Sequence, residues 1–186
     1  MNIDHLRHAN PGNYWDWAVP FDAWVDAARK QQDMWDGYYR RARVPEELLE
    51  RATRIGGKWR FLVIAEDWCG DAFNTIPFLQ KFVDAIEGWE LRFIRRDENP
   101  ELMNRYLTDG ARSIPIVVVL NEDNEEVAWW GPRPEELQAY FKSHKGVMEG
   151  RDLYKNLRAW YVRDRGKTTL AELMDRLEEE SAGVHS

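Results

Sequence analysis

Of 186 residues only one is a cysteine, Cys69, which excludes a disulfide within the chain and any dithiol pair of the chain's own. A lone thiol also gives no reason to expect an oxidising compartment. Long apolar runs are missing: the longest, Ile114 to Leu120, has the length of a strand and falls far short of the roughly 20 residues of a membrane span. Basic residues are in deficit, 26 against 33 acidic ones, and the formal net charge of -7 argues against nucleic acid backbones and anionic membranes as partners. Met1 to Asn10 is polar, with neither a basic start nor an apolar stretch, so no signal peptide is expected and a cytoplasmic location follows by default. His5 and His8 have metal-compatible spacing but no Cys or acid cluster to complete a ligand set, so neither a metal nor another cofactor is expected. Gly56-Gly57-Lys58 lacks the earlier Gly and the following Ser or Thr of a phosphate-binding loop and reads as a helix stop.

Aromatic residues, by contrast, are plentiful. Ten tryptophans occur, six of them at or before Trp68, and such rings serve as core or as interface anchors. The length fits one domain, divided here into an N-terminal helical extension (1–58), a core (59–142) and a C-terminal helical extension (143–186). Phe21, Trp24, Val25 and Ala28 fall at helical spacing after Pro20, and a second helix is predicted from Pro45 to Gly56. The core alternates: strand Arg60 to Ala65, helix Asp71 to Ile86, strand Leu91 to Arg95 and a short helix Pro100 to Leu107. A hairpin of Ile116 to Leu120 and Glu126 to Trp130 follows, then a helix Pro134 to Phe141. Trp129 and Trp130 should alternate across the last strand, one toward the core and one toward a surface. In the tail, Leu153, Tyr154, Leu157, Trp160 and Tyr161 make one apolar face, and Leu170, Leu173, Met174 and Leu177 another. Lys142 to Lys167 carries eight basic residues against three acidic ones, a local net of +5, read as a solvated amphipathic helix or a docking face for an acidic partner.

The one thiol lies in Trp68-Cys69-Gly70-Asp71-Ala72, where an apolar strand gives way to a helix. A thiol at a helix start faces unpaired backbone N–H groups, which favour thiolate. Asp71, with Asp67 and Glu66 nearby, opposes a second negative charge, so the expected outcome is a small lowering from the reference of about 8.5. Asp71 also suits a first helical turn for its own sake.

This order of elements, with Trp-Cys-Gly opening a helix, Pro77 eight residues after the cysteine, and Ile114-Pro115 before a strand, resembles the thioredoxin family. The resemblance runs from Arg60 to Phe141, with Gly131 after the hairpin similar to the family's closing glycine. It implies an α/β thioredoxin-like fold, a central mixed β-sheet flanked by helices, here with extra helices at both termini. It further implies Cys69 as the catalytic thiol, a cis Pro115 beside it, and a groove formed by Trp68, Gly70, Asp71, Ile114 and Pro115. The backbone of Ile114 would pair there with an extended peptide or glutathione.

The departures narrow the function. Ala72 stands where the family's resolving cysteine is expected, Val63 where it commonly has a buried acid, and Asp71 where it usually has proline. Two readings remain open. In one, the protein is a monothiol oxidoreductase whose Cys69 forms mixed disulfides with protein or small-molecule thiols and waits for an external thiol. In the other, it is a non-catalytic binding module holding a protein through that groove and the aromatic-rich extensions.

Overall fold

The chain is described by a computed structural model over residues 9–183. Strand β1 (Trp59–Ala65) is apolar along most of its length and buried from Phe61 to Ala65, as a strand covered on both faces must be. It forms the centre of a four-stranded mixed sheet in the order β2-β1-β3-β4, with β2 spanning Trp89–Arg95, β3 Ile116–Leu120 and β4 Glu126–Trp130. β1 runs parallel to β2, with Val63 opposite Phe93, and antiparallel to β3, with Val63 opposite Val117. The β-branched run of β3 is buried throughout.

Before the sheet come a 3-10 turn (Pro11–Trp17) and helices α1 (Phe21–Ala27), α2 (Gln32–Arg41) and α3 (Glu46–Ile55). Val19 pairs with Phe93 through two backbone bonds of 2.9 and 2.7 Å, which fastens the N-terminal segment to the β2 edge. Trp24 then stacks on Phe93 at 4.8 Å and meets Trp35 edge-on at 5.6 Å. Trp15, Trp24 and Trp35 are thus core residues, whereas Trp17 remains exposed.

The helix expected from Asp71 to Ile86 is two helices, α4 (Gly70–Phe73) and α5 (Ile76–Asp84). The break is at Asn74 and Thr75 because Pro77 has no N–H to offer the Phe73 carbonyl and its ring crowds that oxygen. The predicted Pro100–Leu107 helix shortens to α6 (Pro100–Met103), which ends in a turn before Thr108 bridges to Ala111.

Beyond the sheet, α7 (Glu135–His144), α8 (Gly150–Asp164) and α9 (Lys167–Gly183) complete the chain. Leu170, Leu173, Met174 and Leu177 on α9 are fully buried and join the main core against β4 and α3. Each such side chain contributes roughly 1.5–3 kcal/mol relative to exposure. α8 is different: Leu157 and Tyr161 form a smaller cluster with Leu137 of α7. Tyr154, expected on the buried face of α8, is instead 53 % exposed, with its ring centroid 6.5 Å from that of Phe141 on α7. Trp130 is buried and donates to Glu172 at 2.6 Å, while Trp129 is half-buried against Tyr106. No helix among the described residues is long and apolar enough to cross a membrane.

Candidate functional site

Cys69 occupies the N-cap of α4 with extended backbone (φ -76, ψ 115), reached by a tight turn in which its N–H donates to the Glu66 carbonyl at 3.1 Å. Its thiol donates to the carbonyl of Ile114 at 3.6 Å, and the Ile114-Pro115 peptide that follows is cis. Gly131, at φ 130 after β4, backs directly onto the Pro115 carbonyl. The sulfur thus faces the Ile114-Pro115 turn, and Gly131 backs that turn.

The structure brings Cys69, Ile114 and Pro115 together as buried groups, with Gly70 exposed and Trp68 46 % exposed beside them. The guanidinium of Arg96 lies over the Trp68 ring at 5.3 Å. Two buried carboxylates lead into the turn. Glu66 pairs with Arg95 at 3.2 Å and accepts the Asp97 N–H, while Asp67 accepts the Arg29 N–H at 2.8 Å. Trp35 donates from its indole to the Asp67 carbonyl at 2.9 Å, so the N-terminal extension holds the turn from behind. Arg29, Lys30, Glu98 and Trp68 line an open cavity of about 390 Å³ on that side.

The expected small lowering of the Cys69 pKa is overturned. Burial pushes the thiol up to about 12, with the negative charge of Asp71 adding to the rise. The N–H groups of Ala72 and Asp71 and the charge of Arg133 oppose it and lose. The physical reason is that only 7 % of Cys69 is exposed, and α4 is four residues long, too short to carry a full helix dipole. The thiol at neutral pH is a protonated donor.

Asp71 is not a solvated first-turn acid either. Arg133 grips it with two bonds, Nε to Oδ1 at 2.9 Å and Nη2 to Oδ2 at 2.6 Å, and the Tyr161 hydroxyl donates to Oδ1 at 2.7 Å. Arg133 is fixed in turn by Gln138 at 2.9 Å and lies over the Phe141 ring at 4.0 Å. Sequence reasoning missed both Arg133 and Tyr161. The available signal for the first was an arginine between Pro132 and Pro134, directly after the Gly131 of the resemblance; Tyr161 carried none beyond its place on an apolar face. Among the described residues no group of three or more His, Cys, Asp or Glu is placed to hold a metal, and His5 and His8 lie outside them.

A family model described as thioredoxin matches residues 18–145 of the chain. No curated protein matches. Among solved structures, the chain is similar to a protein of unknown function from Pseudomonas aeruginosa at 21 % identity and a TM-score of 0.71, with 88 % of this chain and 94 % of that one covered. It is also similar to an HIV epitope scaffold at 21 % identity and a TM-score of 0.69, covering 90 % and 96 %. At such identity the likeness carries the fold alone.

Proposed function

Starting from the fact that the chain belongs to the thioredoxin family, we propose that it is a monothiol member whose Cys69 forms mixed disulfides with protein or low-molecular-weight disulfides. The observation that carries this reading is the Cys69 sulfur facing the Ile114 carbonyl across the cis Ile114-Pro115 turn. There an incoming sulfur would be held between a nucleophile and backbone polar groups.

The exchange proceeds in two steps. Cys69 loses its proton to solvent, and its sulfur attacks one sulfur of the substrate disulfide; a Cys69–S–S–R bond forms as the other sulfur leaves as a thiolate. With Ala72 in place of a second cysteine, the adduct persists until an external thiol attacks it, returning Cys69 and giving a new disulfide. Because the neutral thiol predominates at physiological pH, the first step is slow, and the protein serves as an attachment point more than as a rapid reductase.

The test is incubation of the folded protein with oxidised glutathione at pH 7 to 9, followed by intact mass. A single glutathionyl adduct that appears on wild type, is absent from Cys69→Ser and is removed by dithiothreitol supports the reading. Complete resistance of the folded chain, under conditions that modify the unfolded one, ends it. Burial of the thiol and its raised pKa favour the second reading, a binding module that holds its partner without chemistry. That reading gains if partner binding survives Cys69→Ala undiminished.

A further inference from the structure

The corner of the molecule next to the thiol contains one carboxylate and one guanidinium, and both are nearly dry: 11 % of the Asp71 side chain and 8 % of the Arg133 side chain are exposed. We propose that this Asp71–Arg133 pair, fastened from the C-terminal extension by the Tyr161 hydroxyl, sets how readily Cys69 ionises, so that Arg133 and Tyr161 are positioning residues for the thiol. The inference deepens the monothiol reading by assigning its control, and rests on that reading for its biological sense.

The geometry leaves Asp71 few alternatives. It follows Cys69 by two residues on the same short turn, so a free carboxylate there would oppose a second negative charge on the sulfur. Arg133 meets both of its oxygens, and Arg133 cannot drift because Gln138 and Phe141 of α7 hold it on two further sides. Tyr161 supplies the remaining donor from α8, where it also packs with Leu157 against Leu137 of α7. At the sulfur the two charges act in opposite directions, and the carboxylate outweighs the guanidinium, so removing either one shifts the balance its own way.

The other neighbours do not substitute for this pair. From the end of β1, Glu66 and Asp67 both turn toward Arg95. From the loop before β3, Ile114 presents a carbonyl and no charge. From α8 the ionisable neighbour is Tyr161 itself, whose burial beside Asp71 keeps it a protonated donor. The balance at Cys69 is thus set between α4, the turn after β4 and α8.

The experiment is the rate of Cys69 carbamidomethylation by iodoacetamide from pH 7 to 9, in wild type, Asp71→Asn, Arg133→Met and Tyr161→Phe. A one-unit fall in thiol pKa gives about ten times more thiolate, each about threefold less nucleophilic, for a net gain of about threefold. Asp71→Asn is expected to react about threefold faster or more, Arg133→Met about threefold slower or more, and Tyr161→Phe up to twofold slower. If all three variants react faster, the pair merely holds the turn shut, and the proposal is overturned; equal rates in all four proteins also overturn it. Where loss of a charge prevents folding, Tyr161→Phe decides by the same sign. The outcome is separable from the mixed-disulfide test, because alkylation rates split by charge even if no disulfide substrate is accepted.

Discussion

Gly131 approaches Pro115 so closely that a Cβ on the glycine would overlap the proline carbonyl oxygen, and its backbone lies at φ 130, where L side chains rarely go. Two independent demands, space and backbone conformation, thus fall on one residue behind the thiol site. Gly131→Ala is expected to destabilise the fold by about 3 kcal/mol or more, read from urea denaturation. A loss within about 0.5 kcal/mol, the range of ordinary surface substitutions, would show that the turn after β4 can shift without cost.

Cys69 ties stability to alkaline pH. Its folded-state pKa, about 12, lies above the unfolded value of about 8.5, so the protonated thiol is the form the fold favours. The stabilisation is complete below about pH 8.5 and is lost as pH rises toward the folded value. Between pH 8.5 and 10 the cysteine acts nearly alone; above about 10 the buried Tyr106 and Tyr161, also shifted upward, add to the loss. Thermal melts from pH 7 to 10 should show a steeper fall for wild type than for Cys69→Ala. Parallel curves would mean that the sulfur gains solvent on ionisation.

Much of the central architecture was legible because its signals are local. β3 and β4 have the bounds that their β-branched and alternating patterns predict, whereas the helix read as continuous from Asp71 to Ile86 breaks ahead of Pro77. The cis peptide at Ile114-Pro115 is what the family resemblance implied. What could not be read was the balance between burial and charge at one sulfur. A helix start predicts easier ionisation, but whether water reaches the thiol depends on Ile114, 45 residues away, and whether Asp71 stays a free charge depends on Arg133 and Tyr161. Such long-range pairings leave no periodicity in the chain. Tyr154 fails for the same reason: helical spacing gives a face, and the neighbours that do or do not cover it come from elsewhere.

Arg95 compensates two buried acids at once, with Glu66 at 3.2 Å and Asp67 at 3.7 Å, each side chain only 6 % exposed. It also lies over Trp24 at 4.8 Å, joining the turn before Cys69 to the N-terminal aromatic layer. Arg95→Met keeps the bulk and removes the charge, leaving two buried carboxylates without their shared cation. A loss of about 3–5 kcal/mol is expected. Adding Glu66→Gln to that variant should restore part of it, since one uncompensated charge disappears. A double variant no more stable than Arg95→Met would assign the loss to the Trp24 contact instead.

The C-terminal helix is joined to α3 by a surface device with a predictable acid limit. Arg51 donates to both oxygens of Glu178 at 2.8 Å and reaches Asp175 at 2.5 Å, so the hydrogen-bonded guanidinium holds the Glu178 pKa below its ordinary value. A carboxylate lowered in the folded state contributes stability that is present above its unfolded pKa, about 4.3, and lost as pH falls through the folded value. Because 42 % of the Glu178 side chain is exposed, solvent and salt screen the pair, and its contribution should stay near 0.5–1 kcal/mol. Arg51→Met is therefore expected to lower the midpoint of thermal unfolding modestly at pH 7 in low salt. The gap to wild type should narrow in 1 M NaCl, where exposed charges are screened within about 3 Å, and close again below about pH 3. The apolar anchor of α9, Leu170 to Leu177, is untouched by either condition, so the helix should remain docked throughout. A midpoint gap that persists at both high salt and low pH would mean that Arg51 stabilises the contact through its aliphatic stem, packed between α3 and α9, and not through its charge.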